Sequence, residues 1–182
     1  MKKTVFAGFG GQGVIMMGYV FAVAAMNEGQ EITYLPAYGA EMRGGTANCT
    51  VAVSDEEIFS PVASAPDYAV IMNNPSLTKF ENMVKKGGTI LINSSLVTKK
   101  ILRNDVNVIP VPASDMAKKL RNEQISNMIM LGALVETTKI VTMDSVALAL
   151  TETSKGRKAR IANLNKKGLV HGAEYISRGV AQ

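Results

Sequence analysis

A three-layer α/β fold, with a mostly parallel sheet and helices on both faces, is predicted for this chain by three observations. Short β-rich runs alternate with helical segments. A glycine cluster separates the first strand-like run from the first helical one. The 182 residues are 47% apolar, enough for one substantial core and hence a single unit over 1–182.

The elements follow in order. An apolar strand is predicted over 3–8, and the next residues complete TVFAGFGGQGVIMMG. Gly8, Gly10 and Gly13 fit G-x-G-x-x-G; Gly11 is an extra glycine, and Gln12 is the one polar side chain of the turn. Glycines permit φ > 0 and a close backbone approach, so Gly10 in particular is expected to have to stay small. The free N–H groups of the following helix favour an anion. This is a Rossmann-like glycine turn after the first strand. A dinucleotide site also needs an acid at the end of the second strand, whereas EITYLPAYG (31–39) has its only acid, Glu31, at its start. Independent NAD or FAD binding is therefore not expected. Two readings stay open for the turn: a helix packed tightly on a sheet, or the edge of an anion or cofactor site.

The segment 14–27 is apolar nearly all round and predicts a buried helix. Strands are predicted over 31–36, 47–53, 68–72, 89–93 and 106–110. Asn74-Pro75-Ser76 opens a helix over 77–86, which Gly87 and Gly88 end. Helices follow over 113–121, 127–137, 144–153 and 158–179. NMIMLGALVET (127–137) is apolar on every side, which fits a buried helix with another element close at Gly132, or a subunit interface.

Composition removes several functions. One cysteine, Cys49, excludes an internal disulfide and a cysteine-held iron–sulfur cluster within this sequence. It lies in the alternating run TANCTVAV and reads as a buried thiol. With His171 as the only histidine, a His-based metal site or a Ser-His-Asp triad is not expected. Neither catalytic nor metal-binding residues are assigned. Residues 151–182 hold seven Lys/Arg and two acids, so the net charge of +5 belongs to this tail and the first 150 residues are neutral. That speaks against a nucleic-acid face and for a solvated helix face. No apolar run is long enough for a membrane span, and MKKTVFAGFGG reads as a first strand rather than a leader. A cytoplasmic protein is expected.

PAYGAEMRGGTAN (36–48), between two predicted strands, sets Glu41 beside Arg43 and follows them with Gly44-Gly45. It offers a fixed cation next to a carboxylate on flexible backbone, or a pair that shapes a turn. Because it and the glycine turn follow successive strands, a shared sheet edge is expected. GFGGQGV (8–14), YGAEMRGG (38–45), APDY (65–68) and MNNPSL (72–77) together resemble the gamma subunit of 2-oxoacid:ferredoxin oxidoreductases. The combination of the glycine turn with Glu-x-Arg-Gly-Gly is the specific part, and the resemblance is densest before about residue 95.

The resemblance implies a complex that decarboxylates a 2-oxoacid on thiamine diphosphate, passes two electrons through iron–sulfur clusters to ferredoxin and releases an acyl-coenzyme A. It implies that alpha and beta subunits hold thiamine diphosphate and substrate, and that the clusters sit in beta or in a ferredoxin-like delta. The gamma subunit, inactive alone, packs beside the active site at the coenzyme A side. No cofactor is assigned to this chain alone; delta is a separate chain or is replaced by beta. Carried over by position, Gly8, Gly10, Gly11, Gln12 and Gly13, with Tyr38, Glu41, Arg43, Gly44 and Gly45, face the active site or coenzyme A, and Asn73 is a lesser candidate. The loop resembles the 2-oxoglutarate and branched-chain enzymes more than the pyruvate ones. The alternatives are a free-standing nucleotide-binding reductase and a module that senses an acyl-CoA or nucleotide.

Overall fold

A computed structural model of the chain describes residues 1–38, 46–59, 65–153 and 159–179, and of residues 38, 159 and 160 the backbone alone. Six strands form one sheet: β1 (Lys2–Phe9), β2 (Glu31–Tyr38), β3 (Thr46–Ser54), β4 (Tyr68–Ile71), β5 (Thr89–Asn93) and β6 (Asn107–Val111), in the order β2-β3-β1-β4-β5-β6. β1, β4, β5 and β6 are mutually parallel, and β3 pairs antiparallel with both β1 and β2. β3 alone therefore runs against the other strands, and the sheet is mostly parallel as expected.

The alternation of side chains across the pleat builds two cores. Phe6, Val70, Leu91 and Val111 point to the larger one, beneath α1 (Val14–Asn27), α4 (Ser126–Thr138) and α5 (Met143–Thr153). Val5, Ala7, Ala69, Ile71 and Ile90 point to the smaller one, closed by Leu77 and Phe80 of α2 (Asn74–Phe80) with Val84 and Val97. The remaining helices are α3 (Ala113–Lys119) and α6 (Ala159–Ser177).

α4 is buried from Asn127 to Val135 because α6 lies across it. A Cβ on Gly132 would stand 2.8 Å from the carbonyl carbon of Leu169, and one on Gly172 2.8 Å from that of Ile129. The all-round apolarity of α4 is thus explained inside the fold, and Gly132 marks the close approach its position suggests. α2 is shorter than the spacing predicts, passing into a single 3-10 turn at Glu81–Met83. The Arg103 guanidinium explains it, since it donates to the carbonyls of Glu81 (2.9 Å) and Val84 (2.5 Å) and takes them from a continuing helix.

Candidate functional site

The glycine turn stands at the carboxyl end of β1, at the point where the order of strands reverses between β1 and β4. Open α/β sheets bind their ligands in the crevice there. In this chain the turn is tied to the end of β4 by its own side chains. Gln12 Oε1 accepts the Phe9 N–H (2.7 Å) and the Asn73 amide (3.0 Å), and Gln12 Nε2 donates to the carbonyl of Met72 (3.4 Å). Asn73 Oδ1 accepts the Ser76 N–H (2.9 Å) and caps α2, whose Pro75 suits the first turn. Asn73 is 4% exposed, and both its polar ends are used within the chain. Gln12 and Asn73 therefore staple the turn against the end of β4.

The left-handed backbone falls on Gly11 (φ +97°) and Gly13 (φ +73°). The demand for glycine falls on these two positions by backbone and on Gly8 by packing, where a Cβ would meet Gln12 Oε1 at 2.7 Å and Val14 Cγ1 at 2.9 Å. Gly10 is exposed on the outside of the turn. Gly13 begins α1 without a side-chain cap; its carbonyl accepts Met17 N–H (3.0 Å) and Asn127 Nδ2 (3.4 Å). Asn127 supports the turn from α4, a contact that motif reading misses. The available signal is a polar residue opening an otherwise apolar helix, buried at its contact with the turn.

The turn divides two cavities. One of about 620 Å³ lies on the α1 and β2 side, lined by Phe9, Gly10, Gly11, Ile15, Tyr19 and Tyr34 among others. The Tyr34 hydroxyl donates to the Ile15 carbonyl (3.0 Å), and its ring lies 5.8 Å from that of Tyr19. The other, of about 330 Å³, opens towards α3 and the start of α4, with Gln12, Leu96, Ser114, Lys118, Glu123 and Gln124 on its wall. Gly11 lines both.

Strand register brings the second loop to the same edge. Gly8 and Tyr38 both pair with Ala47, and Phe9 pairs with Thr46. The ends of the 39–45 connection therefore leave the sheet beside the glycine turn, as the succession of strands predicts. Glu41, Arg43, Gly44 and Gly45 lie outside the described residues, as does the side chain of Tyr38.

Cys49 is fully buried in β3, its Sγ 3.4 Å from the Val14 carbonyl, and burial pushes the thiol up to about 12. At neutral pH it is an apolar filler, not a nucleophile. His171 is partly buried on α6. Among the described residues no group of three or more His, Cys, Asp or Glu side chains is placed to hold a metal ion, and no helix is long and apolar enough to cross a membrane.

Known proteins give this geometry a context. Residues 3–175 match the family described as pyruvate ferredoxin/flavodoxin oxidoreductase. The chain is 38% identical over 179 residues to the ketoisovalerate oxidoreductase subunit VorA of Methanothermobacter thermautotrophicus, covering 98% of this chain and 37% of that protein. It is 33% identical over 157 residues to the 2-oxoglutarate synthase subunit KorC of Methanocaldococcus jannaschii, covering 84% of each. A solved structure, the gamma subunit of a keto/oxoacid ferredoxin oxidoreductase from Geobacter sulfurreducens, superposes with a TM-score of 0.83 at 26% identity over 98% of this chain and 100% of that one. The chain thus spans little more than a third of the VorA relative and most of KorC. The family match over residues 3–175, with the identities to these relatives, places the chain in the pyruvate ferredoxin/flavodoxin oxidoreductase family.

Proposed function

We propose that the chain acts as the gamma component of a 2-oxoacid:ferredoxin oxidoreductase. The complex oxidatively decarboxylates a 2-oxoacid of the 2-oxoglutarate or ketoisovalerate class, 2-oxoglutarate being favoured, to its acyl-CoA and reduces ferredoxin. One observation carries this reading. The glycine turn ties its polar side chains inward and turns its bare backbone at Gly10 and Gly11 outward. Such a turn is a wall for another molecule to lie against, and it lacks the acid–base pair that would make it a reaction centre on its own.

The residues do not fit the groups that do the redox chemistry. Cys49, the only cysteine, is buried with a raised thiol, so cluster ligation falls to other subunits. Thiamine diphosphate and its metal are assigned to the alpha and beta subunits, as the resemblance implies. Coenzyme A asks only for an anion-tolerant edge. Gly10, Gly11 and Gly13 present backbone at a helix start, and Tyr38, Glu41, Arg43, Gly44 and Gly45 belong to a loop whose ends share that edge. In this reading the edge faces coenzyme A or the substrate passage, with Gly8, Gln12 and Asn73 holding it in position. Alpha and beta subunits, a delta subunit or its equivalent, and ferredoxin complete the system in the cytoplasm.

The test begins with anaerobic recovery of the tagged chain from its native cells and a coenzyme A-dependent assay of low-potential dye reduction across several 2-oxoacids. Recovery with large thiamine-dependent, cysteine-bearing chains and activity on one 2-oxoacid is expected. Recovery as a lone nucleotide-binding protein overturns the proposal. Arg43→Ala is expected to lower turnover about tenfold or more while assembly survives. Loss of assembly with unchanged specific activity in the remainder would make the loop an interface element.

A further inference from the structure

We propose that the outward face of α1 is the docking groove for an apolar helix of another subunit, one flanked by lysine or arginine. The inference rests on the reading above, that the chain works within a complex. α1 contains no charged residue in fourteen positions. Met17, Val20, Phe21 and Ala24 bury one side of it in the core. The other side carries Tyr19 and Met26, exposed and seven residues apart, with Met16 and Val23 on the same side partly buried against the core. That spacing is the seam by which one helix receives another. Tyr19 is 48% and Met26 56% exposed, and α5, which packs against α1, adds Leu148 at 52%. A soluble helix normally places charge on its outer face. Here that face is apolar over about 15 Å, the length of some ten helical residues.

The surrounding charge selects the partner. The chain carries +5 overall. Yet every charged residue on α1, on the connection to β2, on β2 and on α5 is an acid: Glu28, Glu31, Asp144 and Glu152. Glu28 and Glu152 sit by the C-terminal end of the stripe; Glu28 is held there by Thr142 and Glu152 by Asn27. An apolar strip with an acidic rim fits an apolar ridge with basic shoulders. At its other end the stripe runs into the cavity of about 620 Å³ that Met16 and Tyr19 help to line. That cavity can take a large anchoring side chain beside the glycine turn. The docked helix would therefore reach the edge where Gly10 and Gly11 are presented.

Photo-crosslinking in the intact complex tests this. p-Benzoylphenylalanine replaces Tyr19 or Met26, and Val108 on β6 in a control, in the full chain expressed in its native cells. The purified complex is irradiated and the linked peptides are sequenced. Positions 19 and 26 are expected to link to one helical segment of another subunit, at sites about seven residues apart, with Lys or Arg flanking the apolar positions. Glu31→Lys combined with Glu152→Lys is expected to reduce the linked fraction about tenfold. A link to a second copy of this chain, to another part of the same chain or to an acidic or unpatterned segment overturns the inference. So does the absence of any link in a complex that is assembled and active. If the unmodified chain enters no complex at all, the reading under it falls as well, and the two failures are told apart by that control.

Discussion

Glycine shapes two regions of this molecule for different reasons. In the β1–α1 turn, Gly11 and Gly13 supply left-handed backbone, at φ +97° and +73°, and the atoms around Gly13 belong to the side chain of Asn127. At the α4–α6 crossing, Gly132 and Gly172 supply closeness instead, and the atoms around them are backbone of Leu169, Ile129 and Ala133. A side chain can step aside, whereas the backbone of a packed helix cannot. The turn is therefore a tunable piece and the crossing a fixed one, and the costs of adding a methyl group should rank accordingly.

The largest effect is expected at the crossing. Gly132→Ala or Gly172→Ala must push two helices apart and is expected to cost about 3 kcal/mol, read as a lower urea midpoint at unchanged slope. The double variant should lose less than the two together, because the first methyl has already opened the interface that the second would strain. Wild-type melting for either single variant would show that the helices are not in contact there.

Gly13→Ala comes next, at about 2 kcal/mol, because the left-handed cost of one residue is joined by displacement of Asn127. Gly11→Ala meets nothing within 4 Å and should pay the backbone term alone, about 1 kcal/mol. Combining Gly13→Ala with Asn127→Ala sharpens the comparison, since removal of the obstructing amide should make the pair less costly than the sum. Strict additivity would place the whole penalty in the backbone and leave Asn127 no part in it.

The same contrast explains what the sequence discloses. The turn is legible because local chemistry dictates it: a strand, a glycine cluster and an apolar helix within fifteen residues. Gly132 is legible because it interrupts an apolar helix. Its partner Gly172 is not, lying in a polar, basic segment whose packing against α4 is a long-range fact. The roles of Gln12 and Asn73 are hidden for the same reason. Each is a polar residue at a ligand edge by sequence, yet they are 61 residues apart and joined by one hydrogen bond, their other polar ends tied to Phe9, Met72 and Ser76. Strand positions are read well, since alternation is local, while the direction of β3 depends on how the chain returns after residue 38. The outer stripe of α1 is a further case. An all-round apolar segment reads as buried, and only the placement of α5 and the sheet shows which side they leave open.

Gln12→Ala probes the staple itself. It removes the acceptor of the Phe9 N–H and of the Asn73 amide, and partly exposed groups of this kind are worth about 1–1.5 kcal/mol in total. The turn would also lose its tie to β4, so turnover in the assembled complex should fall more than stability does. A stability loss with unchanged turnover would confine Gln12 to folding and would separate the turn from the function proposed for its edge.

The smallest effect lies at the opposite end of the sheet, where Asp67 precedes β4 and is tied to β1. Its Oδ2 accepts the Lys3 N–H (2.8 Å), and its other oxygen pairs with Lys85. Burial works to raise the Asp67 carboxyl, but the hydrogen bonds from Lys85 and Lys3 and the Lys85 charge outweigh it and hold the group below its ordinary value. The sign of the linkage follows. A carboxylate depressed in the folded state contributes stability that is full above its unfolded value, about pH 4, and is lost as pH falls through the lower folded value. Asp67→Asn should therefore be less stable than wild type at pH 7 and lose the difference progressively below about pH 4. Glu28, Asp105 and Glu136 are also held low, so the acid limb should flatten only in part. Urea midpoints of the two proteins between pH 3 and 7 decide the matter. Parallel curves over that range would mean that the Lys85 and Lys3 contacts do not discriminate between the two protonation states, and that this end of the sheet is held by its backbone hydrogen bonds.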